Sequence, residues 1–148
     1  MKRSPKVKTP GPKGRLVFLS HGSKDVWVAT QLARQIKRRG ATVFLDAAAI
    51  AAGGETDEII REALNVMDEI VVLLTPWSIT RPYVWSELGV AWNRRVPIMG
   101  LVYGLSKEEL QQKPEIPHFL KATNLKDLNE VDDYLESLAH RTKRRSKP

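Results

Sequence analysis

The run Ile70-Val71-Val72-Leu73-Leu74 most constrains this chain. Apolar residues at every position, without the alternation of a half-solvated strand, describe a strand buried on both faces. Leu16-Val17-Phe18-Leu19 and Thr42-Val43-Phe44-Leu45 repeat the pattern, and Val96–Tyr103 forms a fourth run. A fifth, weaker strand is predicted over Phe119–Asn124. Between them lie segments of helical period. Asp25–Arg39 places Val28, Leu32 and Ile36 on one stripe and Arg34, Lys37 and Arg38 on the other, with Gly40 as its C-cap. Glu55–Val66 opens on acids and turns Ile59, Ile60, Ala63, Leu64 and Met67 inward. Tyr83–Trp92 supplies the third helix, Ser106–Gln112 a short helical segment, and Val131–Ala139 a closing amphipathic helix. Strands alternating with helices across short loops predict an α/β domain: a flavodoxin-like, five-stranded parallel sheet, order 2-1-3-4-5, with helices on both faces.

A chain of 148 residues with 42% hydrophobic content supports one core. The net charge of +7 is carried by the ends: residues 1–14 and 141–148 are rich in Lys and Arg and hold no acid, and the body between them is acidic on balance. The expected division is a basic disordered tail over 1–14, one domain over 15–140 and a second basic tail over 141–148. Such tails are most often solvated, and contact with nucleic acid or another anionic surface is only weakly suggested. No cysteine is present, which removes disulfides, thiolate metal sites and thiol nucleophiles. His21, His118 and His140 lack metal-ligand spacing, so no metal is expected. No apolar run approaches the ~20 residues of a membrane span, and the amino terminus lacks a signal-peptide core. A cytoplasmic protein is expected.

In such a sheet, ligands bind outside the carboxyl ends of the strands where strand order reverses, between strands one and three. Ser20 and His21 end strand one, Asp46 ends strand two, and Thr75-Pro76-Trp77 leads from strand three into YVWSELGVAW, whose acid is Glu87. No G-x-G-x-x-G follows strand one and no G-x-x-x-x-G-K-[ST] occurs, so neither dinucleotide-redox nor P-loop chemistry has its phosphate cradle. A phosphoacceptor receiver would need an acid pair after strand one, where Ser20-His21 stand.

Three boxes in register, VFLSHGSKD (Val17–Asp25), VFLDAAAIAAGG (Val43–Gly54) and VVLLTPWSITRPYVWSELGVAW, together resemble the Toll/interleukin-1 receptor (TIR) domain in its bacterial form, over roughly Arg15 to Ala139. The resemblance implies NAD⁺ cleavage to ADP-ribose or a cyclic ADP-ribose, with Glu87 as the catalytic acid, and a part in anti-phage defence. NAD⁺ would be substrate, and no cofactor is expected. One carboxylate suits that reaction: nicotinamide leaves a cationic centre as a neutral molecule and needs no general acid, unlike an ordinary glycoside with its two carboxyls. The resemblance further implies self-association through TIR contacts and a separate effector that responds to the product.

Other positions have two readings each. Ser20 either lines the pocket or only terminates its strand; His21 either carries a proton or holds neighbouring backbone. Asp46 contacts ribose or anchors its loop. Trp77 and Tyr83 either face a ring of the substrate or belong to core or interface. Lys24, Arg81 and the backbone at Gly53 and Gly54 are candidates for the pyrophosphate. The alanine-rich loop 47–54 and a tyrosine four residues before Glu87, where the family usually has tryptophan, support an alternative: a non-catalytic TIR module that works by assembly.

Overall fold

The structure, a computed structural model, describes residues 14–45, 56–121 and 124–146. The loop after the second strand, with Asp46, Gly53 and Gly54, lies outside the described residues, as does the basic stretch 1–13. In chain order the elements are β1 (Leu16–Ser20), α1 (Val26–Arg38), β2 (Thr42–Leu45), α2 (Thr56–Val66), β3 (Glu69–Leu74), α3 (Pro82–Arg94), β4 (Ile98–Val102), α4 (Lys107–Gln111), β5 (Leu125–Asp127) and α5 (Val131–Ser146). The strands form one parallel sheet in the order β2-β1-β3-β4-β5, as expected.

Side-chain parity divides the interior in two. Leu16 and Phe18 of β1 and Ile70, Val72 and Leu74 of β3 pack with α2, α3 and Leu110 of α4. Val17, Leu19, Val71 and Leu73 point the other way, onto α1 and α5. On α1 the buried residues are Ala29, Leu32, Ala33 and Ile36, the spacing of one helical face. Gly40 ends that helix at φ 91°, a conformation glycine adopts without steric cost.

Two boundaries differ from expectation. Residues 119–121 and 124 do not pair as a strand. The Leu120 and Asn124 amides close turns onto Pro117 and Lys121, and Phe119 stacks on Trp92 at 5.4 Å, so local bonds and an aromatic contact displace extended pairing until Leu125. The closing helix runs past Ala139 to Ser146, into the stretch expected as tail. Its extension is tied to the sheet by Arg141.

That tie centres on Glu69, 2% exposed at the start of β3. Arg15 Nε donates to its carboxylate at 2.6 Å, Arg141 donates through Nη2 at 3.0 Å and Nε at 3.1 Å, and the Tyr134 hydroxyl donates at 2.6 Å. The cluster joins the chain entering β1, the start of β3 and α5. Burial alone pushes the Glu69 carboxyl up; hydrogen bonds from Arg141 and Tyr134, with the charges of Arg141 and Arg15, outweigh it and hold the group below its ordinary 4.5. Burial, then the Glu69 charge and hydrogen bond, push the Tyr134 phenol well up.

A carboxyl depressed by folding adds stability above its unfolded value and loses it as pH falls through its folded value. Glu69→Gln, which cannot titrate, is therefore expected to cost roughly 2–4 kcal/mol at neutral pH. It should also flatten the fall in stability below its ordinary value of 4.5. Urea unfolding of both proteins at about pH 7 and about pH 3.5 checks this; equal pH slopes would contradict it.

Candidate functional site

Parity also directs Ser20. It follows Leu16 and Phe18 on the α2/α3 side of β1, at the strand's carboxyl end. Pro82 takes the first turn of α3, where a missing amide hydrogen costs nothing, and the buried stripe of that helix is Val84, Glu87, Leu88 and Ala91. Three of these are apolar core positions; the fourth carries a carboxylate into the interior. The Ser20 hydroxyl donates to Glu87 Oε1 at 2.6 Å, with Ser20 fully buried and Glu87 4% exposed. Burying a polar group is costly unless it is hydrogen-bonded, and the short bond from Ser20 offsets part of that cost. The pair lies at the β1/β3 boundary, where strand order reverses.

The loops around the pair are cross-tied. Asp25, read from sequence only as a helix start, is 5% exposed and accepts the Thr75 hydroxyl at 2.8 Å. Ser78 Oγ accepts the Thr75 amide at 2.9 Å and donates to the Leu73 carbonyl at 2.7 Å, while the Ser78 amide donates to Thr75 Oγ1 at 3.1 Å. The loop after β1 is thereby bound to the loop after β3. Gly22 permits the approach: a Cβ there would stand 3.2 Å from Ser78 Cα. The Tyr83 hydroxyl donates to the His21 carbonyl at 3.0 Å, and Trp85 Nε1 to the Ile79 carbonyl at 3.1 Å. These bonds hold the start of α3 against both loops.

The structure thus joins Ser20, His21, Tyr83 and Glu87 in one connected set. His21 is buried with its carbonyl engaged, and Tyr83 is 36% exposed. Trp77 is 44% exposed, with the Lys24 ammonium 5.9 Å from its ring centroid, a second pair on the same rim. Arg81 is exposed at the N-cap of α3. Asp46, Gly53 and Gly54, lying outside the described residues, are placed by nothing here. Sequence reasoning missed Asp25, Thr75 and Ser78. The available signal was small polar side chains directly after two strands, where satisfying loop backbone is the common task.

A five-stranded, doubly wound parallel domain with this strand order is flavodoxin-like in topology. Residues 17–140 match the family model of the TIR domain, and the chain belongs to that family. Among solved structures it is similar to the TIR domain of a Toll-related receptor from Hydra magnipapillata, at 18% identity over 86% of this chain and 97% of that one, TM-score 0.63. A prokaryotic SEFIR domain matches at 16% identity over 91% of this chain and 100% of that one, TM-score 0.55. A CMP N-glycosidase from Clostridium botulinum matches at 16% identity over 84% of this chain and 98% of that one, TM-score 0.49. These structural likenesses concern the fold. No curated protein matches. None of the described helices is long and apolar enough to cross a membrane.

Gly22→Ala forces a methyl against Ser78 backbone and is expected to lower stability by about 1–3 kcal/mol. A Tm equal to that of the unchanged protein would show that the two loops are not closely locked there.

Proposed function

We propose that this TIR domain cleaves the nicotinamide N-glycosidic bond of NAD⁺, with Glu87 as the catalytic carboxylate. The observation that carries the reading is the Ser20–Glu87 hydrogen bond, which aims a buried acid at the carboxyl end of the sheet beside the reversal of strand order. In the reaction the ribose C1′–nitrogen bond breaks and its electron pair passes to the pyridinium ring, so nicotinamide leaves neutral. The remaining ribosyl centre carries oxocarbenium charge, which a fixed carboxylate in a low-dielectric setting stabilises. Water or a nucleophile of the ADP-ribosyl group then bonds to C1′, and Glu87 accepts the proton released. Capture by water gives ADP-ribose; internal capture gives a cyclic ADP-ribose.

Ser20 acts as a positioning residue, holding one carboxylate oxygen so that the other is presented consistently. Lys24 and Arg81, both exposed at this end, supply positive charge for the pyrophosphate, and Trp77 offers a ring face. Release of a cyclic product to a separate effector accords with a role in anti-phage signalling, and assembly through TIR contacts would complete the surroundings of the site.

Glu87→Gln keeps the size of the side chain and an acceptor for Ser20 but removes the charge. It is expected to lower nicotinamide release about 10²–10³-fold with KM for NAD⁺ little changed. Ser20→Ala is expected to lower kcat by about tenfold, the effect of loosening the carboxylate without removing it. Release by Glu87→Gln at the unchanged rate would overturn the role of Glu87. Concentration-dependent oligomers without nicotinamide release, under any condition, would favour an assembly module.

A further inference from the structure

A second feature lies at the opposite end of the sheet. Where α3 ends and β4 and β5 begin, a hollow of about 520 Å³ opens to solvent, bordered by Trp92, Arg95, His118, Phe119, Lys121 and Asn124. Its size falls in the range of small-ligand sites, about 300–1,000 Å³. Trp92 is 52% exposed and stacks nearly parallel on Phe119, at 5.4 Å and 13°. The His118 ring meets both edge-on, at 5.7 Å and 5.9 Å. The result is a braced aromatic stack in which Phe119 backs Trp92 from the core side and Trp92 remains open to water.

Two cations flank it. Arg95 and Lys121 are exposed, and neither makes an ion pair among the described residues. Arg95 closes α3 at φ 60°, the left-handed region where glycine is favoured and a branched-off side chain is held at a cost. The chain therefore keeps a guanidinium on this rim against the local backbone preference. Asn124 fixes the other wall: its Oδ1 accepts the Lys121 amide at 2.8 Å and its Nδ2 donates to the Phe119 carbonyl at 3.3 Å. The loop carrying His118, Phe119 and Lys121 is thus shaped before any ligand arrives.

We propose that this hollow binds a nucleotide, the base laid on the exposed ring of Trp92, which Phe119 backs, and the phosphate taken by Arg95 and Lys121. A planar ring joined to an anion satisfies both halves of the site, by stacking and by charge-assisted hydrogen bonds. An acidic peptide would answer the cations and leave the ring surface uncovered. The proposal goes beyond NAD⁺ cleavage and does not depend on it, because the hollow sits at the amino ends of β4 and β5 whereas Ser20 ends β1 at its carboxyl end. Two sources share this chemistry, a free nucleotide and a nucleotide within a single strand.

Calorimetric titration of the full chain with AMP, adenosine, ribose 5-phosphate and a short oligoadenylate tests it. AMP is expected to bind more tightly than adenosine or ribose 5-phosphate, and Trp92→Ala and Arg95→Gly are each expected to weaken AMP about tenfold or more. Glu87→Gln should bind AMP at the hollow as the unchanged protein does. Arg95→Gly relieves the left-handed residue, so its Tm should stay equal or rise, and lost binding then cannot be a folding defect. Tighter, steeply salt-dependent binding of the oligoadenylate would identify a strand as the source, and AMP binding as well or better would identify the free nucleotide. No AMP binding by the unchanged protein, binding unmoved by both substitutions, or binding lost in Glu87→Gln alone would overturn the proposal. So would self-association abolished by Trp92→Ala in a protein that takes no nucleotide.

Discussion

The structure depends on β1 and β3 being buried on both faces. Their side chains alternate between two separate cores, so neither face has a solvated side on which polar residues could be displayed. Hydrophobic burial of this kind, about 25 cal/mol per Å² of apolar surface, is the dominant favourable term in folding. It also restricts chemistry to the two ends of the sheet, where, among the described residues, those strands meet polar surroundings.

Each end has used that opportunity differently. At the carboxyl end, parity turns Ser20 toward α3, and the inner stripe of α3 brings Glu87 to meet it. The Asp25–Thr75–Ser78 bonds then hold the flanking loops. At the amino end, Glu69 gathers Arg15, Tyr134 and Arg141 into an ionic cluster that anchors α5, and the end of α3 contributes Trp92 and Arg95 to an open hollow. The two ends are linked by α3 itself, which presents a carboxylate at its middle and an aromatic ring with a cation at its finish. A rigid helix packed along the sheet keeps the two features apart at a set distance.

Much of this was legible in sequence because it follows from local pattern. The uninterrupted apolar runs mark strands buried on both faces, the stripes of α1 and α2 repeat at 3.6 spacing, and the order of the sheet follows from strands alternating with helices across short loops. Glu87 was legible for another reason: it interrupts an apolar stripe at a position where the TIR boxes place an acid. What was not legible depends on contacts between residues distant in the chain. Nothing local to Glu69 announces that Arg141 will reach it, and without that contact the last helix reads as ending at Ala139. The weak fifth strand fails similarly, since Phe119 has the composition of a strand residue but finds Trp92 instead. Asp25 resembles any acid at a helix start until Thr75 is beside it.

The central claim is that a single buried carboxylate, oriented from β1, performs glycosidic cleavage in this domain. The most direct measurement is a proton NMR time course of NAD⁺ with the purified chain at high protein concentration, alongside Glu87→Gln shown by circular dichroism to be folded. Free nicotinamide signals should grow in proportion to the amount of unchanged protein and stay near the buffer rate with the variant. Equal growth in both, or none above buffer with the unchanged protein, would contradict it.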